Sequence, residues 1–297
     1  MGVDSVLRLR HADSDHKGFN MKILNRLFGK PKNAPKKKKG GSINHAFVLL
    51  SEARLPDVEA IVFSFRDFAV PGEELRNEAD NSGNGASNEI IFLKLNTGEQ
   101  AFVALMPGAV PNGEAEQGAQ FSLSRFVNNW ELPTHSAHLF VTFHATADSP
   151  PIVELSRFTS VLAAVTKISP AVGVYWGNAG ATHNSEFFTS VASEQGVVPR
   201  MVLWSGISIA RERDGRLSLL SLGMEQLNLP NLLLVVGNTS EGDAIETMYD
   251  LLSYVAERGE PLPEGDTVGR SNDERLSVHY VKSPVDSKKK VWRVELP

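Results

Sequence analysis

Three histidines, His135, His138 and His144, fall close together in the sequence, and a metal site is the first chemistry they suggest. On a strand His138 and His144 project to the same side, but the six residues between them, at ~3.3 Å each, span roughly 20 Å, beyond one ion's reach. They read as surface histidines, with His135, His138 and a distant carboxylate as the alternative. Tyr175 and Trp176 end an apolar strand that runs into GNAGATHN, Gly177 to Asn184, and then a helix start. Free amides at that start would suit an anion, yet the loop holds no Lys or Arg and reads as a connector. Aromatic side chains at strand ends line recognition surfaces, the alternative being that they are core. Tyr175, Trp176, Asn178, His183 and Glu225 are therefore the candidate binding residues.

Catalytic constellations are harder to find. The sequence has no G-x-S-x-G elbow, no GxxxxGK[ST] loop, no HExxH and no GxGxxG after a strand. With no cysteine, thiolate metal sites, disulfides and a cysteine nucleophile are ruled out together. Glu225 beside Met224 and Asp266 in GDTVG are the carboxylates best placed for acid–base work, but Asp266-Thr267 reads more simply as an Asx-type turn. No catalytic residue, metal or cofactor is expected.

The elements that must position these residues follow from periodicity. Ile43 to Leu50 is a strand, and Val58, Ile61, Val62 and Phe65 mark a helix. Asn77 to Glu89 is a polar loop. Ile90 to Leu95 and Gln100 to Met106 form a hairpin about Gly98, which takes the positive φ of a tight turn. Leu123, Phe126, Val127 and Trp130 sit at helical spacing, and Ala137, Leu139, Val141 and Phe143 alternate as a strand. A long helix follows Ser149-Pro150-Pro151, burying Leu155, Phe158, Val161, Leu162 and Val165. Ala171 to Trp176 is a strand, and Phe187, Phe188 and Val191 mark a helix. Met201 to Ala210, which includes Trp204, pairs as a strand with Leu217 to Leu222 about Asp214-Gly215. Met224, Leu227 and Leu229 fit one short helical turn ended by Pro230, Leu232 to Val236 is a buried strand, and Ser240 caps a helix whose buried stripe is Ile245, Met248, Tyr249, Leu252 and Val255, stopped at Gly259. A hairpin of Arg275 to Lys282 with Val291 to Leu296 completes the chain. The order strand, helix, strand, strand, helix, strand occurs twice, which predicts an α+β fold of tandem ferredoxin-like βαββαβ units with an extra C-terminal helix and hairpin. The division expected is 1–41 as a basic tail, 42–148 as a first lobe and 149–297 as a second.

Within the second lobe, SLGMEQLNLP, the apolar strand after it, the capped amphipathic helix and GDTVG together resemble the bacterial family of domain of unknown function 4261. The resemblance covers about residues 199–269. It implies a fold relationship and brings no catalytic residue with it.

Charge is partitioned more sharply than the formal net of −5 shows. Residues 21–41 hold eight Lys or Arg and no acid, and residues 1–20 balance three against three. Of the 30 basic and 35 acidic residues, 19 and 32 remain for residues 42–297, a net of −13. The tail reads as a disordered solubilising segment, or as a short amphipathic patch, Ile23, Leu24, Leu27 and Phe28, with a lysine-rich linker. An acidic body disfavours nucleic acid. No apolar run reaches the ~18 residues of a membrane span, and the start has no apolar signal core, so a cytoplasmic protein is expected, with Met21 as its natural start. These readings converge on a non-enzymatic binding or interaction protein with a protein partner. The alternative is a hydrolase or small-molecule-binding enzyme with its site between the lobes, near Tyr175, Trp176, Asn178, His183 and Glu225.

Overall fold

Strand β1 (Ile43–Leu50) is the hub of a large antiparallel sheet, because both faces of INHAFVLL carry apolar or aromatic side chains that neighbours on either side match. The structure, a computed structural model, describes residues 42–78, 90–269 and 274–297. The basic tail and residues 79–89 of the polar loop lie outside the described residues. After β1 come α1 (Val58–Phe65), β2 (Leu75–Asn77), β3 (Ile90–Leu95), β4 (Gln100–Pro107), the short helices α2 (Glu114–Gly118) and α3 (Leu123–Asn128), and β5 (Ala137–His144). The long helix α4 (Pro151–Lys167) leads to β6 (Ala171–Trp176), β7 (Ala181–Asn184), α5 (Ser185–Ser193) and α6 (Val197–Trp204). Then follow β8 (Gly206–Arg211), β9 (Leu217–Leu222), β10 (Leu232–Val236), α7 (Glu241–Arg258), β11 (Thr267–Val268), β12 (Leu276–Ser277), β13 (His279–Lys282) and β14 (Lys290–Leu296).

The fold is α+β, but its strands do not form two four-stranded ferredoxin-like sheets. One sheet has seven strands in the order β2-β3-β4-β5-β1-β6-β7, all antiparallel, and a second has five in the order β13-β14-β10-β9-β8. β6 lies beyond residue 148, yet it pairs with β1, where Phe47 faces Tyr175 on one side of the sheet and Val48 faces Val174 on the other. That two-sided match, and the tight Gly177–Gly180 turn that folds β7 back on β6, draw both strands into the first sheet. Residues 41–297 form one compact unit, and one apolar cluster joins the inner faces of both sheets through the helices between them.

A second difference is local. Met201 to Ala210 is not one strand, since Val197–Trp204 is helix α6 and β8 begins at Gly206. Gly196, at φ +105°, starts the helix and extended Ser205 ends it. Short apolar runs carry no period that separates strand from helix, so the flanking glycine decides. Gly223 has a tighter requirement: it sits at φ +99°, and a Cβ there would lie 2.8 Å from the Trp204 carbonyl oxygen.

Helix α7 follows its sequence pattern closely. The Ser240 hydroxyl accepts from the Asp243 N–H, Gly259 closes the helix at φ +73°, and Ile245, Met248, Tyr249, Leu252 and Val255 are all buried. Leu252 is fully enclosed, so Leu252→Ala is expected to cost about 2–5 kcal/mol in denaturant unfolding. Exposed Glu246→Ala is expected to stay within about 0.5 kcal/mol, and equal costs would mean that the buried face is misassigned.

Candidate functional site

The large sheet separates Tyr175 from Trp176, because neighbouring residues on a strand point to opposite faces. Trp176 is fully buried in the helix-covered core, its ring centroid 5.1 Å from that of Phe158, and its indole N–H donates to Gln226 Oε1 at 2.9 Å. A ring so enclosed presents nothing to a partner, which corrects its reading as an exposed anchor. His183 is also fully buried. Its Nε2 lies 3.1 Å from the Leu203 carbonyl, which only accepts, so Nε2 carries the proton and Nδ1 accepts from Ser122 Oγ at 2.8 Å. This is a serine–histidine pair that local sequence could not reveal, the two lying 61 residues apart, but both side chains are sealed from solvent. Ser122 Oγ also accepts the Ser124 N–H as the cap of α3, so the pair ties α3 to β7 and α6.

The remaining candidates scatter. Asn178 is exposed, with Nδ2 3.5 Å from Asn44 Oδ1, and Glu225 is paired with Lys289 at 2.7 Å and accepts from Asn231. GNAGATHN is a hairpin rather than an anion cradle: Ala179 N–H and Gly180 N–H close the turn, ATHN is β7, and Asn184 caps α5 by accepting from Phe187 N–H. The five residues therefore do not converge on one site.

Tyr175 instead joins an aromatic cluster on the second face of the large sheet. Its ring stacks on Phe47 at 5.6 Å, and Phe47 also meets Phe140 at 5.3 Å, His138 at 5.6 Å and His45 at 6.1 Å. The register continues this row across the strands, from Tyr175 through Phe47 and Phe140 to Ala104 and Ile90. A second row runs from His45 through Thr142 and Phe102 to Phe92, with His144 edge-on to Phe102 at 5.0 Å. The side chains that β1, β4 and β5 turn to this face carry no Asp, Glu, Lys or Arg. Over β6 and β7 the face is covered by the segment Gly108–Phe121, whereas Ile43 and Phe92 are 50% and 44% exposed and Phe102, Phe140, His45 and His144 are half-buried. Burial holds the pKa of His45 and of His144 below the ordinary histidine value, so both rings are neutral near pH 7, and the charge that β3 turns to this face, Lys94, is paired with Glu78 at 3.0 Å. Tyr175 is pushed well above the usual phenol range by burial first and by Glu114, 3.5 Å from its hydroxyl, second.

His135 and His138 are not surface histidines. Both are buried, His135 accepting the Val110 N–H at Nε2 and His138 bonding the Gly108 carbonyl through Nδ1. Among the described residues no group of three His, Cys, Asp or Glu is arranged to hold a metal ion. The sequence did carry a sign of this face. In INHAFVLL and AHLFVTFH both parities are apolar or aromatic, which marks strands with two occupied faces.

Residues 220–295 match the family model described as Domain of unknown function (DUF4261). The match begins later and runs further than the resemblance read from sequence, taking in β10, α7 and the β13–β14 hairpin. No curated protein and no solved structure matches the chain.

His183 provides a test of the buried pair. Burial lowers its pKa to about 4, against the opposing pull of the Leu203 carbonyl, so the folded state binds fewer protons than the unfolded one. Its stabilising contribution is complete above about pH 6.5 and is lost as pH falls to about 4, a loss of about 3 kcal/mol. Chemical unfolding from pH 7 to pH 4 should show this slope in the wild type and a flatter one in His183→Gln. Parallel profiles would place the acid sensitivity elsewhere.

Proposed function

We propose that this is a non-enzymatic binding protein whose aromatic sheet face receives a protein partner. The observation that supports this is the pair of side-by-side rows, Phe92–Phe102–Thr142–His45 and Ile90–Ala104–Phe140–Phe47, uncharged and half-open except at buried Thr142 and Phe47, on a body of net charge −13. Aromatic side chains carry large apolar area with little rotamer entropy to lose, and they dominate binding where a partner seals them from water. The charge of the body opposes a polyanion, which favours protein over nucleic acid as the occupant. No helix among the described residues is long and apolar enough to cross a membrane. We place the protein in the cytoplasm, a reading supported by its cysteine-free composition. The alternative enzyme reading loses its basis in position, because Trp176 and His183 are enclosed and Glu225 is occupied by Lys289.

A photo-crosslinking residue at position 92 in cells should capture a defined protein that the same residue at exposed Tyr254, on α7, does not. Capture should fall when Phe102→Ser is added. Identical products from the two positions, or capture that ignores Phe102→Ser, would overturn the reading.

A further inference from the structure

A threonine hydroxyl inside a helix can satisfy itself locally. In α4, Thr159 and Thr166 donate back to the carbonyls of Leu155 and Leu162, four residues earlier. A strand paired on both sides, as β5 is, offers no such acceptor, because its carbonyls serve the ladder, so a hydroxyl standing off the sheet needs something laid over it. Thr182 and Thr142 both stand on the second face of the large sheet, Thr182 opposite Tyr175 and Thr142 opposite Phe102 and His45. Over β7 the segment Gly108–Phe121 supplies the acceptor. The Thr182 hydroxyl donates to the Ala115 carbonyl at 2.6 Å, and Gly118 packs so closely that a Cβ there would lie 2.7 Å from the same oxygen. The segment brings no charge into this contact, and it presses Val110 and Ala115 into the cluster of Phe47, Leu49 and Tyr175.

Thr142 is the unmatched member of the pair. It is 2% exposed, and its hydroxyl oxygen is buried without a hydrogen-bond partner among the described residues. Other side-chain atoms left so, in Ser64, Glu73, Ser149, Ser253 and Arg293, belong to no strand of this face. A buried hydroxyl with no partner costs the fold more than an apolar group of the same shape would. We propose that Thr142 is the polar anchor of the protein-binding face, its hydroxyl donating to a backbone carbonyl of an uncharged, apolar partner segment that lies over β4 and β5 as Gly108–Phe121 lies over β6 and β7. The anchor rests on the binding role proposed above and adds the chemistry of the partner.

The surroundings decide what kind of acceptor fits. Phe102 and His45 stand across from Thr142, and Phe140 and His144 flank it along β5. All four rings are half-buried, and they can turn between rotamers without disturbing the backbone, so side chains rather than a covering segment stand between the hydroxyl and a partner. A partner carboxylate here would be buried against neutral rings with no counter-charge, which costs more than one hydrogen bond returns. A partner ammonium could not accept at all. An amide carbonyl accepts without carrying charge, as the Ala115 carbonyl does for Thr182.

Unfolding of the purified full-length protein and the crosslink at position 92 test the anchor together. Thr142→Val keeps the β-branched shape and removes the hydroxyl, so the denaturant midpoint should hold or rise, no bond of the folded protein being lost. The yield of the specific product from benzoylphenylalanine at position 92 should nonetheless fall by about fivefold or more, the factor that one net hydrogen bond is worth. Thr142→Ser, which keeps the hydroxyl, should recover most of that yield. A residue needed only for folding would lose stability and binding together. A lowered midpoint in Thr142→Val would show that the hydroxyl is already bonded within the protein and overturn the proposal. An undiminished yield in Thr142→Val would also overturn it, as would a serine variant that captures no better than the valine one. Product that forms in the wild type and persists in Thr142→Val rejects the anchor alone, whereas no specific product at position 92 rejects the binding role and the anchor with it.

Discussion

Helix α4 is buried on most of its circumference, so each polar group it carries must find a partner inside the protein, and those partners join the parts around it. The Thr159 hydroxyl donates to the Leu155 carbonyl and accepts the Trp204 indole N–H, and the Ser160 hydroxyl donates to the Phe68 carbonyl beyond α1. Arg157 reaches Glu73 and the enclosed carboxylate of Glu99 at the β3–β4 turn, which fixes the hairpin end against the helix. Arg200 of α6 is buried and, among the described residues, makes no direct ion pair, Glu73 acting on it only through its nearby charge; it donates instead to the carbonyls of Phe68, Ser156, Ala192 and Glu194. A guanidinium has five donors in a fixed fork, and four carbonyls from three segments occupy it without a carboxylate in contact. Leaving any of these groups unpaired costs more than the bond itself contributes, so the helix layer admits few other arrangements.

With the helices fixed on one side, the large sheet has two unlike faces. The inner face is continuous core. The outer face is sealed only over β6 and β7 and stays half-open over β3, β4 and β5, where rings meet one another edge to face rather than a covering helix. Edge-to-face contacts between rings are worth about 0.5–1.5 kcal/mol beyond area, enough to keep such a surface ordered without a cover.

How much of this was legible depended on the range of the signal. Helix α7, with its Ser240 cap, apolar stripe and Gly259 stop, was readable because every cue lies within a few residues. The hairpin at Gly98 was readable for the same reason. Strand partners were not, since β1 lies 121 or more residues from β6 and only complementary faces connect them. α6 was missed because an eight-residue apolar run fits either period. The candidate site failed in the same way: Tyr175 and Trp176 are adjacent in sequence but on opposite faces, and the partners of His183, Ser122 and Leu203, come from distant segments.

The small sheet has an order of assembly written into it. β10 is flanked by β9, which precedes it in the chain, and by β14, which pairs with it in parallel from residues 290–296. During synthesis, then, LLLVV leaves the ribosome with one edge paired and the other without its native neighbour until more than fifty further residues have followed. At about 5–20 residues per second that interval lasts roughly 3–12 s. An apolar strand edge waiting that long is a template for another chain, and α7, which forms from local cues and packs on β9 and β10, is the element available to shield the strand meanwhile.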